Sequence, residues 1–140
     1  IKKTYLALVV GHPSPSGTID HTITRDPISK TKMIAYPCNS QAALTGRPAV
    51  SHYRVLEYFH NAALVEIKPV TGRTHQIRVH MATIGHPLIG DTKYGTQSSL
   101  IARHALHAHA LEFIFDDTPY SITHELPPDM QHTIEELRKK

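Results

Sequence analysis

The sequence predicts an α+β domain in which a mostly antiparallel, mixed β-sheet carries about two helices. Three observations support this. Short apolar segments separated by turn residues fill most of the first 70 positions, a helical pattern lies near the middle of the chain, and a second one closes it. At 140 residues the chain can bury one sizeable core and has little room for two, so we predict a single domain over residues 1–140.

The first predicted strand runs from Lys3 to Val10 and is apolar on both alternating faces, as expected for a strand covered on both sides. A loop follows at His12–Gly17, where Pro and Gly accumulate. Weaker strands are predicted at Ile19–Ile23 and Lys32–Tyr36. The polar connection from Cys38 to Pro48 contains Gly and Pro and is expected to be mobile.

Val50–Phe59 and Ala63–Pro69 are predicted to form a β-hairpin around a short turn. After the central helix, further strands are predicted at Ala108–Phe115 and Tyr120–His124. A helix from Asp129 to Arg138 then closes the chain, with negative charge at its start and positive charge at its end, as the helix dipole favours.

The central helix is predicted from about Thr74 to Ile84. Thr74 would cap its N-terminus, because a threonine hydroxyl accepts a hydrogen bond from a free first-turn N–H. Ile77, Met81 and Ile84 recur at helical spacing and form an apolar stripe. Gly85 follows as a natural residue for a left-handed C-terminal cap, so the helix is expected to end there.

Three side chains near this helix are candidates for a functional site. Arg78 lies roughly 100° around the helix from Ile77, so its guanidinium can lean along the core edge with its head in a cleft. Arg73 lies beside the helix N-terminus, where unpaired N–H groups favour anions. Tyr5 is on the first strand. Local sequence alone leaves open an alternative without function. In it, Arg73 and Arg78 are ordinary surface arginines, and Tyr5 is a core residue whose hydroxyl lies at an edge.

The 12 histidines of the chain do not have the spacing of a metal site. His75 and His80 are five positions apart, roughly 140° around a helix, and so do not share one face. His107 and His109 would share a strand face near His104, but no Cys or carboxylate joins them at ligand spacing. We therefore predict no bound metal. The histidines are instead expected to pack, with their ring nitrogens bonded to backbone or RNA.

Composition narrows the class of protein. The formal net charge of +3 permits an anionic partner such as RNA but does not require one. The single cysteine, Cys38, excludes an internal disulfide and fits a reducing compartment such as the cytoplasm. No apolar run approaches the ~18 residues of a membrane helix, so no membrane partner is predicted.

Two motifs carry a resemblance to a known family. GRTHQIRVH at Gly72–His80, followed by GHPLIGD at Gly85–Asp91 and by Tyr94-Gly95, resembles the signature of the RluA-type RNA pseudouridine synthases. The sister RsuA-type group continues differently, with more basic residues after its Q-I-R. Further matching segments follow the family's order over nearly the whole chain: Lys3–Ala7, Gly17–Asp20, Leu106–Ala108, Leu111–Phe113 and Pro127–Asp129.

The resemblance implies the pseudouridine synthase fold and the isomerisation of uridine in structured RNA, either rRNA or tRNA, without cofactor or metal. Tyr5 corresponds to the family tyrosine that stacks on the target base and is proposed to take part in proton transfer. Arg78 corresponds to the arginine that pairs with a nucleophilic aspartate, which a guanidinium within ~4–6 Å would keep ionised. Arg73, His75 and Lys93 are predicted RNA contacts.

The family's nucleophile lies in an H-R-L-D-x-x-T-S-G motif that this chain does not contain. Asp20 and Asp91 belong to other motifs and are expected to organise turns. Arg78 is therefore expected to lack its carboxylate partner. Since the chain also begins in a strand, at Ile1, we predict the C-terminal portion of a catalytic domain that is inactive alone. A whole domain with a processed start, or a non-catalytic RNA-binding module that keeps the fold, is the alternative.

Overall fold

A computed structural model describes residues 1–29, 31–40 and 46–140. Part of the predicted Cys38–Pro48 connection lies outside these residues. The elements in chain order are β1 (Lys2–Val10), β2 (Ser16–Ile19), β3 (His21–Arg25), β4 (Met33–Pro37), β5 (Ser51–Tyr58), β6 (Ala62–Pro69), α1 (Gln76–Thr83), β7 (Leu106–Phe115), β8 (Thr118–Thr123) and α2 (Pro128–Arg138). Within the described ranges, neither helix is long enough to cross a membrane.

Six strands form one sheet in the order β2-β5-β6-β1-β7-β8, while β3 and β4 form a separate two-stranded sheet. Every pairing between these strands is antiparallel. Two helices and a mostly antiparallel sheet confirm the predicted α+β class. The predicted hairpin is confirmed as β5–β6, in which Ser51 faces Pro69.

Strand β1 is central and buries side chains on both of its faces, as its sequence predicts. One face packs against α2, and the other packs against α1. The first cluster contains Leu6 and Leu8 with Met130, Ile134 and Leu137, and the second contains Ala7 and Val9 with Ile77 and Met81, against which Ile84 packs. Burying a side chain of the Leu, Ile or Met type contributes roughly 1.5–3 kcal/mol, so these clusters hold both helices on the sheet.

The N-terminus of α1 differs from the prediction. The helix begins at Gln76, and its N-cap is His75 in the left-handed region (φ 55°), with no side-chain cap hydrogen bond. The predicted cap by Thr74 is therefore wrong. The polar group that organises this end is the Gln76 side chain, whose Oε1 accepts the N–H of Arg73 at 3.1 Å. That bond ties down the segment before the helix, and Thr74 stays exposed.

The C-terminus of α1 ends as predicted. Gly85 adopts a left-handed conformation with φ 90°. Its N–H donates to the Ala82 carbonyl, and the His86 N–H donates to the Met81 carbonyl. This pair of bonds is the Schellman arrangement that glycine at this position favours.

The predicted strand Ile19–Ile23 is two strands. The chain leaves the large sheet at Ile19, passes Asp20, and enters β3 of the small sheet at His21. The predicted loop at His12–Gly17 is correspondingly shorter, because Gly17 already pairs with Tyr53. A Cβ on Gly17 would lie 2.8 Å from the Tyr53 ring, so this close approach requires glycine.

Candidate active site

A cleft of about 340 Å³ lies between the N-terminal end of α1, the start of β1 and the segment before β7. Four of the residues predicted from sequence line it, namely Tyr5, Arg73, His75 and Arg78. Lys93 is not among the lining residues. The cleft therefore brings most of the predicted site together, while the roles of these residues stay predictions.

Arg78 forms a bidentate ion pair with Asp91. Its Nε donates to Oδ2 and its Nη2 donates to Oδ1, each at 2.9 Å. The Asp91 side chain is fully buried, and the Arg78 side chain is 14% exposed. Arg78 thus has a carboxylate partner, Asp91, that the sequence analysis assigned only to a turn, while the expected lack of the nucleophilic aspartate stays a prediction. The sequence places Asp91 thirteen positions after Arg78, and only the turn after α1 brings the two together.

Asp91 also organises its own turn, as predicted. Its Oδ1 accepts the N–H groups of Lys93 and Tyr94 at 3.2 Å each. Burial opposes ionisation of this carboxyl, but the bonds from Arg78 and the two amides outweigh burial and lower the pKa of Asp91. Hydrogen bonding to Asp91 in turn raises the pKa of Arg78. Both groups are therefore charged at neutral pH.

Tyr94 supports the other side of the guanidinium. The Arg78 Cζ lies 5.2 Å from the centre of the Tyr94 ring, within cation–π range. The Tyr94 hydroxyl accepts the Met33 N–H at 3.0 Å and lies 2.7 Å from His75 Nδ1. One side chain thus joins the arginine, the N-cap of α1 and the small sheet.

Two histidines in the cleft are held near Arg78. Burial, followed by the charges of Arg78 and Lys93, lowers the pKa of His75. Burial, followed by the charge of Arg78, lowers the pKa of His104, which also lines the cleft. Both imidazoles are therefore neutral at pH 7, and Lys3, Arg73 and Arg78 supply the positive charge of the cleft.

A buried polar network fixes α1 on the sheet. The Gln76 Nε2 donates to the Val50 carbonyl at 2.9 Å and to Ser51 Oγ at 2.8 Å. Ser51 Oγ lies 2.8 Å from His80 Nδ1, and His80 Nε2 lies 2.9 Å from the His21 carbonyl. Because a carbonyl only accepts, Nε2 carries the proton and Nδ1 accepts from Ser51. His80 thus bonds to backbone, as predicted.

Of the remaining predicted residues, Arg73 and Lys93 donate to backbone carbonyls. The Arg73 Nε donates to the Pro48 carbonyl at 2.9 Å, and the Lys93 Nζ donates to the Thr31 carbonyl at 3.1 Å. Tyr5 is half-buried, at a register shift in the pairing of β1 with β7. Asp20 lies exposed between β2 and β3, where the Cys38 Sγ lies 3.6 Å from its Oδ2.

Sequence reasoning missed the roles of three residues at this site: Asp91 as the partner of Arg78, Tyr94 as its support, and His104 as part of the lining. The G-D-x-x-Y-G spacing places Asp91 and Tyr94 in one turn, but nothing in it shows that the turn meets α1. Across the described ranges, no three His, Cys, Asp or Glu side chains lie together as a metal site.

Comparison with known proteins gives one consistent family. Residues 1–83 match the family described as RNA pseudouridylate synthase. An uncharacterised RNA pseudouridine synthase of Chloroflexus aurantiacus is 39% identical over 100% of this chain and 43% of its own length. The ribosomal large subunit pseudouridine synthase D of Nitrosomonas europaea is 40% identical over 99% of this chain and 41% of its own length.

Among solved structures, human RNA pseudouridylate synthase domain containing 4 superposes with a TM-score of 0.82 and 25% identity, over 98% of this chain and 62% of that one. The chain spans about two fifths of the length of the two relatives from Chloroflexus aurantiacus and Nitrosomonas europaea. The family match covers more than half of the chain and includes the motif around Arg78. The chain therefore belongs to the RluA-type RNA pseudouridine synthases.

Proposed function

We propose that this chain is the C-terminal portion of the catalytic domain of an RNA pseudouridine synthase that isomerises uridine in structured RNA. The observation that carries the proposal is that Tyr5 and an oriented, ionised Arg78 line one cleft. The name of the Nitrosomonas europaea relative favours ribosomal RNA as the substrate over transfer RNA. We place the activity in the cytoplasm, where Cys38 would stay reduced.

In this proposal Arg78 holds two carboxylates at once. Asp91 occupies Nε and Nη2, and a guanidinium has five N–H donors, so the Nη1 end remains for a second carboxylate. That carboxylate would be the nucleophilic aspartate, which the resemblance puts in a motif that these 140 residues do not contain. Asp91 would then orient Arg78, and Arg78 would keep the nucleophile ionised.

Tyr5 would receive the target base. A base within a stem or loop must leave its stack before an enzyme can act on it, and an aromatic face can hold it there. The isomerisation exchanges the N1–C1′ bond of uridine for a C5–C1′ bond, releases the C5 proton to solvent and leaves a proton from solvent on N1. Atoms and electrons balance overall, so the reaction needs no cofactor.

The RNA backbone would be held around the cleft. Arg73 and His75 line it, whereas Lys93 lies outside and would contact a phosphate beyond its rim. Phosphate contacts of this kind position the RNA without reading its sequence. The choice of uridine would then depend on the RNA shape presented to the cleft.

The alternative is a non-catalytic RNA-binding module, favoured by the absence of the H-R-L-D motif from the sequence. Tritium release from RNA labelled at C5 of uridine separates the two. We expect the whole protein that contains this chain to release tritium, and the 140-residue chain to release none. Release by the 140-residue chain would contradict a nucleophile outside it, and no release by the whole protein would favour the binding module.

A further inference from the structure

His75 is the described residue at the cleft whose backbone is strained. It occupies the left-handed region with φ 55°, which is unfavourable for a residue with a Cβ. It does so at the N-cap of α1, and the Tyr94 ring lies edge-on to the imidazole with centroids 5.6 Å apart. This backbone conformation places the imidazole against Tyr94 at the lining of the cleft.

The hydrogen bonds around Tyr94 have one consistent direction. The Met33 N–H can only donate, so the Tyr94 oxygen accepts from it. Burial raises the pKa of Tyr94, so its hydroxyl keeps its proton and needs an acceptor. His75 Nδ1, at 2.7 Å, is that acceptor. If Nδ1 carried the proton instead, it would leave the Tyr94 hydroxyl proton without a partner in this arrangement.

We propose that the relay from Met33 through Tyr94 locks His75 as the Nε2–H tautomer, so that Nε2–H is a fixed donor to an oxygen of the bound uridine nucleotide. Nδ1 is occupied by Tyr94, so Nε2 is the ring nitrogen left for a ligand in the cleft. His75 is thus a positioning residue for the nucleotide. The identity of the ligand rests on the proposed function, whereas the tautomer rests on the hydrogen bonds alone.

Burial, and after it the charges around His75, lower the pKa of His75 and keep this donor neutral. Arg78, Lys93 and His104 oppose its protonation, and Asp91 favours it. A neutral donor approaches a carbonyl or a phosphate oxygen without adding a charge next to Arg78. Because an unlocked imidazole would divide between two tautomers, the relay also removes the cost of selecting one on binding.

The tautomer can be read directly by ¹H–¹⁵N NMR of the histidine rings in the 140-residue chain at pH 7. We expect His75 to show a protonated Nε2 and an unprotonated Nδ1. The matched variant is Tyr94→Phe, which keeps the ring beneath Arg78 and removes the hydroxyl, and it should give a mixture of both tautomers. A protonated Nδ1 in the wild-type chain, or a single unchanged tautomer in Tyr94→Phe, would overturn the relay.

Titration with uridine 5′-monophosphate, uridine and inorganic phosphate tests the ligand. We expect uridine 5′-monophosphate to move the Nε2 signal and to do so several-fold more weakly in Tyr94→Phe. A shift with phosphate alone identifies a phosphate oxygen, and one with uridine alone identifies a nucleoside oxygen. No shift with any of the three at millimolar concentration would overturn the donor role. Absence of pseudouridine in the product of the whole protein would contradict the proposed function alone, since the NMR signals require no turnover.

Discussion

Arg78 is held by Asp91 through two parallel hydrogen bonds of 2.9 Å, inside a site where the Asp91 side chain has no exposed surface. An arginine fixed in this way presents its remaining N–H groups in one direction. The pair therefore does more than neutralise a buried charge. It converts a flexible side chain into an oriented one before any ligand is bound.

Asp91→Asn should destabilise the fold and misorient Arg78. Removing one partner of a buried ion pair leaves the other charge uncompensated, which costs about 3–5 kcal/mol. Urea unfolding of the 140-residue chain measures this loss. The matched control is Asp129→Asn, since Asp129 pairs with Arg103 in a similar bidentate geometry but is 43% exposed, and there we expect about 1 kcal/mol or less. Equal losses in free energy of unfolding for the two variants would contradict the claim that burial makes the Arg78–Asp91 pair the more important one.

Arg78→Ala should abolish tritium release by the whole protein, because the proposed nucleophile would lose the cation that keeps it ionised. Arg78→Lys retains the charge but cannot bond to Asp91 through two planar N–H groups, so we expect it to be severely impaired as well. Arg138→Ala removes an exposed arginine on the far helix and should leave the rate unchanged. Activity near wild type in Arg78→Ala would remove Arg78 from the site.

The aromatic ring of Tyr5, rather than its hydroxyl, should contribute most of its effect on RNA affinity. Tyr5→Leu removes the stacking surface, which is worth about 1–3 kcal/mol per base, so the whole protein should bind RNA roughly 5- to 150-fold more weakly. Tyr5→Phe keeps the stacking surface and should keep most of this affinity. Filter binding of a uridine-containing stem-loop measures both. If Tyr5→Leu binds as tightly as wild type, the base does not stack on Tyr5.

Much of the fold was accessible from sequence because the apolar periods are local. The two-faced pattern of β1 and the stripe of Ile77 and Met81 each mark a surface that must be covered. The pairing of Arg78 with Asp91 was not accessible, because it depends on how a turn folds back on a helix. The Thr74 prediction failed for a related reason, since the Gln76 side chain took over the organisation of that helix end.

Gly90 should tolerate no side chain. It has φ 79°, and a Cβ there would lie 2.2 Å from the Arg103 carbonyl oxygen. Gly90→Ala should therefore cost more than the roughly 1–2 kcal/mol of left-handed backbone alone. Gly85→Ala, at φ 90° with nothing within 4 Å of its Cβ, isolates that backbone cost. Gly72→Ala has neither problem and should be nearly neutral. In urea unfolding we expect the loss in free energy of unfolding to be largest for Gly90→Ala, smaller for Gly85→Ala and smallest for Gly72→Ala. Equal losses at Gly90 and Gly85 would contradict the clash.

Stability should fall as the pH drops below about 6.5, the ordinary pKa of histidine. Burial, the larger cause, lowers the pKa of His80 below that value, so the unfolded chain binds a proton that the folded chain resists. Stability from His80 is thus fully present above pH 6.5 and is lost as the pH falls toward its folded pKa. His75 contributes in the same direction.

Urea unfolding at pH 8, 6.5 and 5.5 should give a free energy of unfolding that decreases with acidity. His80→Gln retains a donor and an acceptor for Ser51 and the His21 carbonyl, and it should flatten this dependence. His60→Gln, at an exposed turn position, is the matched control and should leave the slope unchanged. A wild-type chain that becomes more stable between pH 6.5 and 5.5 would contradict a pKa of His80 that folding lowers.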